Sequence, residues 1–279
     1  MKVFYTVSEL QSYLANFKQN NSIGFVPTMG ALHAGHISLI KRAKRENDIN
    51  VTSIFVNPTQ FDKEEDLIKY PKTLNSDLEK LQGYCDLVFV PGVEEIYPES
   101  VISKEFNFNG LDKTMEGSFR KGHFDGVGTV VKRLFEIVEP TKAYFGEKDF
   151  QQLTIIKKMV ELEGLSIEII DCPIEREKDG LAMSSRNQRL SPIQRAEAPL
   201  IYKTLQTAQA MFPENEISAI RKIVEDTFKN NKVLKLEYFE IADIETLQPT
   251  DHKIDYKTYR AFIAVFADTV RLIDNIALN

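Results

Sequence analysis

From the N-terminus to about residue 175, short apolar runs alternate with amphipathic helical patterns, and this alternation predicts an α/β fold. Each run consists mainly of β-branched or aromatic residues and is bounded by Pro, Gly, Asn or Asp, as β-strands commonly are. Strands that alternate with helices usually form a parallel sheet, so we expect a Rossmann-like doubly wound sheet with helices on both faces. After Pro173 the pattern changes, which predicts a smaller α+β domain. The expected domains are therefore 1–175 and 176–279.

The N-terminal domain is predicted to begin with a helix, because Thr6 and Glu9 stand at the spacing of a capping box. This helix should run to about Phe17. The predicted strands then follow at 23–26, 51–56, 86–90, 143–145 and 167–171, and the predicted helices at 37–45, 74–81, 126–138 and 153–163. The segment 103–108 alternates in polarity, which is compatible with either an edge strand or an excursion from the sheet.

The C-terminal domain is predicted to begin with a polar loop at 174–189. Two long helices are expected at 192–211 and 216–229, followed by strands at 236–242, 259–266 and 269–274. Ala267 and Asp268 separate the last two strands, so these strands should form a hairpin with a tight turn.

The composition is that of a globular protein and argues against nucleic-acid and membrane partners. Of 279 residues, 43% are apolar and 27% charged, and the net charge of −6 gives no global attraction to nucleic acid or an anionic membrane. No apolar run approaches the ~18 residues of a membrane span, and Glu9 precedes any signal-like run. Cys85 and Cys172 fit reduced, buried thiols in a cytoplasmic protein better than a disulfide.

The strongest functional signal is a pair of histidines at the first predicted strand-to-helix junction. Residues 27–36 read PTMGALHAGH and contain two of the four histidines of the chain. Gly30 and Gly35 allow close approach of the backbone to a ligand, and a helix N-terminus offers unpaired N–H groups to a phosphate. Here His33 and His36 could donate hydrogen bonds to phosphoryl oxygens. The junction therefore predicts phosphate or nucleotide chemistry.

Further polar segments stand where predicted strands end, which is where ligands collect in open α/β sheets. Asn57 and Gln60 follow the second predicted strand and can bind a carboxylate or hydroxyl through neutral amides. The other such segments are the one around Tyr70, residues 120–127 with Arg120 and His123, residues 146–152 with Lys148 and Asp149, and residues 178–187 with Ser184, Ser185 and Arg186.

Each of these segments also has a purely structural interpretation. His33 and His36 could be turn or core histidines, or metal ligands, although two imidazoles without a third ligand make a poor metal site. His123 could be structural, residues 146–149 could be a solvated turn, and Ser184 could simply cap a helix.

The four segments together decide between these interpretations. They read PTMGALHAGH (27–36), FVNPTQF (55–61), GEKDFQQ (146–152) and DGLAMSSRN (179–187). The H-x-G-H element alone is typical of the nucleotidyltransferase superfamily. The four strings in this order resemble the pantothenate synthetase (pantoate–β-alanine ligase) family over about residues 24–189. Lys69 and Lys72 depart from the resemblance, because they stand where the family often has arginines.

The resemblance implies ATP-dependent condensation of (R)-pantoate with β-alanine through a pantoyl adenylate, releasing AMP and pyrophosphate. It implies Mg²⁺ as cofactor, bound through the ATP phosphates, with Asp149 in contact with either the nucleotide ribose or the magnesium shell, and it implies a homodimer. The catalytic residues it implies are His33, His36 and Lys148. Those for ATP are Met29, Gly30, Ala31, Leu32, His33, Ala34, Gly35, His36, Gly146, Glu147, Lys148, Asp149, Glu175, Met183, Ser184, Ser185 and Arg186. Those for pantoate and β-alanine are Asn57, Gln60, Tyr70, Arg120 and Gln152.

Two other functions compete with this one. A nucleotidyltransferase of the same superfamily that acts on a phosphate ester should carry extra arginines where this chain has Gln60 and Gln152. A non-catalytic nucleotide sensor on the same fold would be expected to lack His36 or Lys148, and this chain has both.

Overall fold

A six-stranded parallel sheet forms the centre of the N-terminal part of the protein. The computed structural model describes residues 1–17, 21–61 and 64–279. The strands are β1 (Lys2–Phe4), β2 (Ile23–Thr28), β3 (Ile49–Ile54), β4 (Leu87–Phe89), β5 (Lys142–Gly146) and β6 (Glu168–Cys172). They pair in parallel in the order β1-β4-β3-β2-β5-β6. The strand order reverses at β2, which has β3 on one side and β5 on the other. The predicted doubly wound α/β fold is therefore confirmed.

Helices connect successive strands across the faces of this sheet. Their bounds are α1 (Val7–Leu14), α2 (Ala34–Glu46), α3 (Glu64–Ile68), α4 (Leu74–Leu81), α5 (Val93–Ile96), α6 (Glu116–Phe119), α7 (His123–Val138) and α8 (Phe150–Leu162). Three of the predicted helices begin earlier than expected, namely α2, α7 and α8. As a result His36, His123 and Gln152 all lie in first helical turns.

The segment 103–108 is an excursion from the sheet and not an edge strand. Its backbone N–H groups bind side chains of α7: Lys104 donates to Thr129 Oγ1 at 2.8 Å and Phe106 to Asp125 Oδ1 at 3.0 Å. Gly128 permits this packing, because a Cβ there would lie 3.0 Å from the Phe106 ring. The edge strands of the sheet are β6 and the three-residue β1, and β1 was not predicted from the sequence.

The C-terminal part contains an antiparallel sheet covered by helices. Its strands are β7 (Leu234–Asp243), β8 (Tyr259–Ala267) and β9 (Val270–Ala277), and its helices are α9 (Pro192–Glu197), α10 (Leu200–Met211) and α11 (Ile217–Lys229). The single helix predicted at 192–211 is wrong. Pro199 separates α9 from α10, because proline lacks the N–H that a continuous helix requires. The predicted hairpin is present, but its turn residues are Asp268 and Thr269, since Ala267 pairs with Val270.

Apolar packing joins the two parts. Ala242 and Phe262 of the antiparallel sheet belong to the same buried cluster as Phe25, Phe135 and Phe145 of the N-terminal part. A second cluster lies between the antiparallel sheet and helices α10 and α11. The carboxyl ends of β2, β3 and β5 consequently face β8 and β9 across a cavity. The domain boundary near residue 175 stays a prediction.

Candidate active site

A cavity of about 270 Å³ opens at the carboxyl edge of the parallel sheet, beside the point where the strand order reverses. All of the predicted site segments contribute to it. The predicted residues that line it are Met29, His33, Gly35, His36, Asn57, Gln60, Tyr70, Arg120, Gly146, Lys148, Asp149, Gln152, Glu175, Met183, Ser184, Ser185 and Arg186. Five predicted ATP ligands are not among the lining residues, namely Gly30, Ala31, Leu32, Ala34 and Glu147.

A buried carboxylate explains why part of the first turn lies away from the cavity. The N–H groups of Ala31 and Leu32 donate to the two oxygens of Asp77 at 2.9 and 2.8 Å, and Asp77 is only 1% exposed. Gly30 has φ +80° and Ala31 φ +49°, so the chain here adopts the left-handed conformation that brings both N–H groups onto this carboxylate. Asp77 thus fixes the turn that precedes His33.

The two histidines of the motif are held as neutral rings. His33 donates its backbone N–H to Nδ1 of His36 at 3.3 Å, and the ring centroids are 4.0 Å apart. Because Nδ1 of His36 accepts this bond, the proton of the neutral ring belongs on Nε2. Burial, followed by the charge of Lys148, lowers the pKa of His33 to about 4, and burial lowers the pKa of His36 well below its ordinary value. Near pH 7 the pair therefore offers hydrogen-bond donors without positive charge.

Lys148 supplies positive charge beside these rings. It lies in a 3-10 turn, Glu147–Asp149, that follows β5, and its Nζ is 3.5 Å from Asp149 Oδ1. Asn275 of β9 supports the turn, because its amino group donates to the backbone oxygens of Glu147 and Lys148, each at 2.9 Å. The Glu147 carboxylate accepts from Arg260 at 3.0 Å, so it belongs to the contact with the antiparallel sheet. The β9 residue Asn275 was not predicted.

Gln60 has both ends of its side-chain amide in contact with other groups. Its Nε2 lies 2.9 Å from Met29 Sδ, and its Oε1 accepts from Asn57 Nδ2 at 3.2 Å. Gln152, in the first turn of α8, also lines the cavity. The adjacent Gln151 reaches the cavity too, but it is buried and its amino group donates to the backbone oxygens of Leu111 and Thr114. Gln151 is therefore structural.

His123 connects Gln60 with Arg120. Its Nδ1 is 2.8 Å from the backbone oxygen of Gln60, which can only accept, so Nδ1 carries the proton. Its Nε2 then accepts from Arg120 at 3.0 Å. Burial, followed by the charge of Arg120, lowers the pKa of His123 to about 4. The neutral ring positions both predicted substrate-binding residues, a role that the sequence did not reveal.

A buried ionic cluster lies under Arg120. Both oxygens of Glu116 accept from Arg271 at 2.7 Å, and Tyr238 donates to the same carboxylate at 2.9 Å. The Arg120 guanidinium is 3.8 Å from Glu116. Arg271 and the other contacts lower the pKa of Glu116 despite its burial. The cluster could not be predicted from the sequence, because Glu116 lies 122 residues from Tyr238 and 155 residues from Arg271 along the chain.

The loop at 174–189 is fastened to β9 on one side of the cavity. Arg176 donates to Asp274 at 2.6 and 3.0 Å, and its guanidinium lies 3.7 Å from the centre of the Tyr202 ring. Ser184 caps a 3-10 helix, Ser185–Arg189, by accepting from the Arg186 N–H at 3.2 Å. The capping interpretation of Ser184 therefore holds, and the residue lines the cavity as well.

Tyr70 contacts this loop through a hydrogen bond with Ser185. Burial raises the pKa of its hydroxyl, while a hydrogen bond with Ser185 and the charge of Arg186 oppose the rise. Its ring packs edge-on against Phe61, with centroids 5.8 Å apart. This position puts Tyr70 beside the predicted phosphate-binding serines.

No cluster of three or more His, Cys, Asp or Glu side chains with metal-site geometry occurs among 1–17, 21–61 and 64–279. Within the same ranges, every helix is too short or too polar to cross a bilayer. Cys85 and Cys172 are buried free thiols.

Paired neutral histidines at the switch point of a parallel sheet, next to a lysine and a serine-rich loop, define a nucleotide-binding α/β protein of the H-x-G-H class. The family model for pantoate-beta-alanine ligase matches residues 2–277. The chain belongs to this family.

Named relatives resemble the chain along its whole length. It is 54% identical to the pantothenate synthetase of Christiangramia forsetii and 51% identical to that of Flavobacterium psychrophilum, in both cases over 100% of each chain. Among solved structures, the Thermus thermophilus enzyme has a TM-score of 0.93 at 41% identity, covering 100% of this chain and 99% of the other. The Francisella tularensis ligase, crystallised with beta-gamma ATP and beta-alanine, has a TM-score of 0.82 at 35% identity, covering 100% and 98%.

Proposed function

We propose that this protein condenses (R)-pantoate with β-alanine at the expense of ATP, forming pantothenate, AMP and pyrophosphate. The observation that carries the proposal is the convergence of the histidine pair, Lys148, Ser184–Arg186 and two neutral glutamines on one cavity. Groups suited to bind phosphates and groups suited to bind a carboxylate thus line the same cavity. The names of the relatives, which match along the whole chain, support the same reaction.

The chemistry is activation of a carboxylate. A carboxylate acylates poorly at neutral pH, because oxide is a very poor leaving group. Attack of a pantoate carboxylate oxygen on the α-phosphorus of ATP forms an acyl adenylate and expels pyrophosphate. The β-alanine amine then attacks the acyl carbon and expels AMP, which carries away the original carboxylate oxygen. The site must therefore hold two anions in line and prevent water from reaching the adenylate.

On the ATP side, His33, His36 and Lys148 stabilise charge that develops on the phosphates. Nε2–H of His36 is suited to donate toward the departing pyrophosphate, and because the ring is neutral it acts as a hydrogen-bond donor. Ser184, Ser185 and Arg186 bind the β- and γ-phosphates, and backbone near Glu175 contacts the adenine. Preorganised donors of this kind are each commonly worth about 10²–10³ in rate.

On the acid side, Gln60 and Gln152 bind pantoate, with Asn57, Arg120 and Tyr70 around them. Neutral amides can hold a carboxylate without neutralising it, so the oxygen remains nucleophilic. The family resemblance puts Gln60 near β-alanine as well. The position of Tyr70 against Ser185 supports a role for it at the boundary between acid and phosphates.

Mg²⁺ fits this site as an ion that arrives with ATP. Magnesium prefers oxygen ligands and usually keeps several waters, so phosphates and one protein carboxylate suffice. Asp149 is the candidate, since it lines the cavity beside Lys148 with 47% of its side chain exposed. When bound, the ion would partly neutralise the negative charge of the phosphates.

A homodimer and a cytoplasmic location complete the proposal. The dimer rests on the family resemblance. The location is supported by Cys85 and Cys172, because two buried free thiols suit a reducing compartment.

The direct test follows AMP release with ATP and Mg²⁺ present and pantoate or β-alanine omitted in turn. We expect sustained AMP formation only when both organic substrates are present. A protein that transfers AMP to a phosphate ester, or that only senses nucleotide, would release no pantoate-dependent AMP, and that result would overturn the proposal.

A further inference from the structure

The amide orientation of Asn57 is fixed by two backbone groups of known polarity. The Thr59 N–H, which can only donate, lies 3.4 Å from Asn57 Oδ1, and the Gly126 carbonyl, which can only accept, lies 3.2 Å from Nδ2. Asn57 is 1% exposed, so solvent does not compete for these groups. Nδ2 therefore also donates to Gln60 Oε1, which fixes the second amide in turn.

Tyr97 adds the strongest contact to this arrangement. It follows α5, is 8% exposed, and donates its hydroxyl to Asn57 Oδ1 at 2.6 Å. The same hydroxyl is 3.1 Å from Thr59 Oγ1. Of these two partners, Asn57 is the one that binds the Gln60 side chain, so the hydroxyl is linked to the Gln60 amide through Asn57.

We propose that Tyr97 is a positioning residue that, through Asn57, holds the Gln60 amide with its amino group facing the substrate as a hydrogen-bond donor. This inference rests on the proposed function for the identity of the substrate. A fixed donor defines the pocket more narrowly than a neutral amide of either orientation, because it selects an oxygen acceptor such as a carboxylate or a hydroxyl oxygen. A freely rotating glutamine would bind donors and acceptors alike.

The contact with Met29 agrees with this orientation of the Gln60 amide. The Gln60 amino group is 2.9 Å from the Met29 thioether, which is a weak acceptor. An incoming carboxylate oxygen is a much stronger acceptor, so it can replace sulfur at the same donor. The weak contact keeps the donor aimed into the cavity without competing with the substrate.

The kinetic test compares Tyr97→Phe with Tyr259→Phe. Both remove one buried hydroxyl, and Tyr259 binds the Ile254 N–H in the C-terminal part. Tyr97→Phe should lower kcat/KM for pantoate about tenfold, because one well-aligned hydrogen bond is lost. The KM for ATP should change less than twofold, and Tyr259→Phe should change neither constant.

A double-mutant cycle with Gln60→Ala distinguishes positioning of Gln60 by Tyr97 from a general loss of structure in Tyr97→Phe. If Tyr97 acts through Gln60, Tyr97→Phe should change kcat/KM for pantoate less than twofold in the Gln60→Ala background. A full tenfold loss in that background, or wild-type kinetics for Tyr97→Phe itself, would overturn the proposal. If Tyr97→Phe does not fold, Asn57→Asp replaces it in the double-mutant cycle. The carboxylate of Asn57→Asp cannot donate to Gln60 Oε1, so this variant also releases the Gln60 amide.

A measurement without substrate keeps this inference distinct from the proposed function. The side-chain ¹⁵N–¹H signals of Gln60 and Asn57 should shift or broaden in Tyr97→Phe and remain unchanged in Tyr259→Phe. Unchanged Gln60 signals in Tyr97→Phe would contradict the positioning role whatever the protein catalyses. Altered Gln60 signals in a protein without pantoate-dependent AMP release would instead refute only the proposed function.

Discussion

His33 and His36 show how backbone geometry sets the chemistry of a side chain. The His33 N–H occupies Nδ1 of His36, which leaves Nε2 as the donor, and burial keeps both rings neutral near pH 7. In the proposed reaction negative charge grows on pyrophosphate as the bond to the α-phosphorus breaks. A fixed N–H donor binds the more negative oxygen of the transition state more strongly than that of the ground state, and this difference accelerates the step.

Two substitutions of His36 distinguish the role of Nδ1 from that of Nε2. Asparagine keeps an acceptor for the His33 N–H but cannot reach the Nε2 position, whereas glutamine can place an amino group there. We expect His36→Asn to slow single-turnover pyrophosphate release by about 10²–10³, and His36→Gln to slow it less. His252→Asn, in an exposed loop, is the matched control. Equal rates for His36→Asn and wild type would remove Nε2 from the mechanism.

The charge of Lys148 can be tested against another lysine near the same strand. Lys148 follows β5 and lines the cavity, while Lys142 begins β5 and pairs with Glu168 at 3.6 Å. We expect Lys148→Ala to reduce adenylate formation by about 10²–10³ with an unchanged circular dichroism spectrum. Lys142→Ala should retain the wild-type rate. A normal rate for Lys148→Ala would show that its charge is not used.

At the element scale, α7 carries a buried histidine in its first turn. His123 has a pKa of about 4 in the folded protein against an ordinary value of 6.5. As pH falls below about 6.5, the unfolded state takes up the proton first, so the free energy of unfolding should decrease between pH 6.5 and 4. At higher pH this contribution is fully present.

Replacing His123 with a residue that does not titrate should weaken the pH dependence of the free energy of unfolding. Glutamine can donate to the Gln60 carbonyl and accept from Arg120, as the neutral ring does. We expect His123→Gln to make the pH slope of the unfolding free energy shallower by up to about 1.4 kcal/mol per pH unit between pH 6.5 and 4. Urea titrations across this range measure it, with His252→Gln as control. An unaltered slope would mean that His123 is not buried as a neutral ring.

The loop at 174–189 depends on one buried ion pair. Asp274 is 4% exposed, and Arg176 binds both of its oxygens. Arg176→Met leaves this carboxylate without its partner, so we expect a loss of about 3–5 kcal/mol in the free energy of unfolding. Adding Asp274→Asn should recover part of the loss, because an amide costs less to bury than a charge. Simple additivity of the two destabilisations in urea titrations would contradict this.

Element prediction from the sequence succeeded where the pattern is local. The strands β2 to β6 and the helix α4 could be read from apolar runs and their boundaries, since neighbouring residues determine them. The errors also have local causes. One long helix was predicted across Pro199, where the structure has two helices. The first turns of α2, α7 and α8 were predicted as loops because they contain Gly or polar residues.

At the scale of the whole molecule, the cavity needs both sheets. Lys148 is supported by Asn275, and Glu116 is bound by Arg271, so β9 contacts two segments at the edge of the parallel sheet. The motifs that resemble the family could be found in the sequence because each is a contiguous segment of ten residues or fewer. The partners that hold them, such as Asn275 and Arg271, come from distant parts of the chain, and apolar periodicity carries no information about such pairs.

The central claim is that a pantoate carboxylate oxygen is transferred to AMP. It is tested most directly with pantoate labelled with ¹⁸O in its carboxylate, incubated with ATP, Mg²⁺, β-alanine and the wild-type protein. We expect one ¹⁸O atom in the phosphate of each AMP released, detected by mass spectrometry or by the shift of the ³¹P signal. AMP that carries no label, formed while pantothenate accumulates, would contradict an acyl-adenylate route.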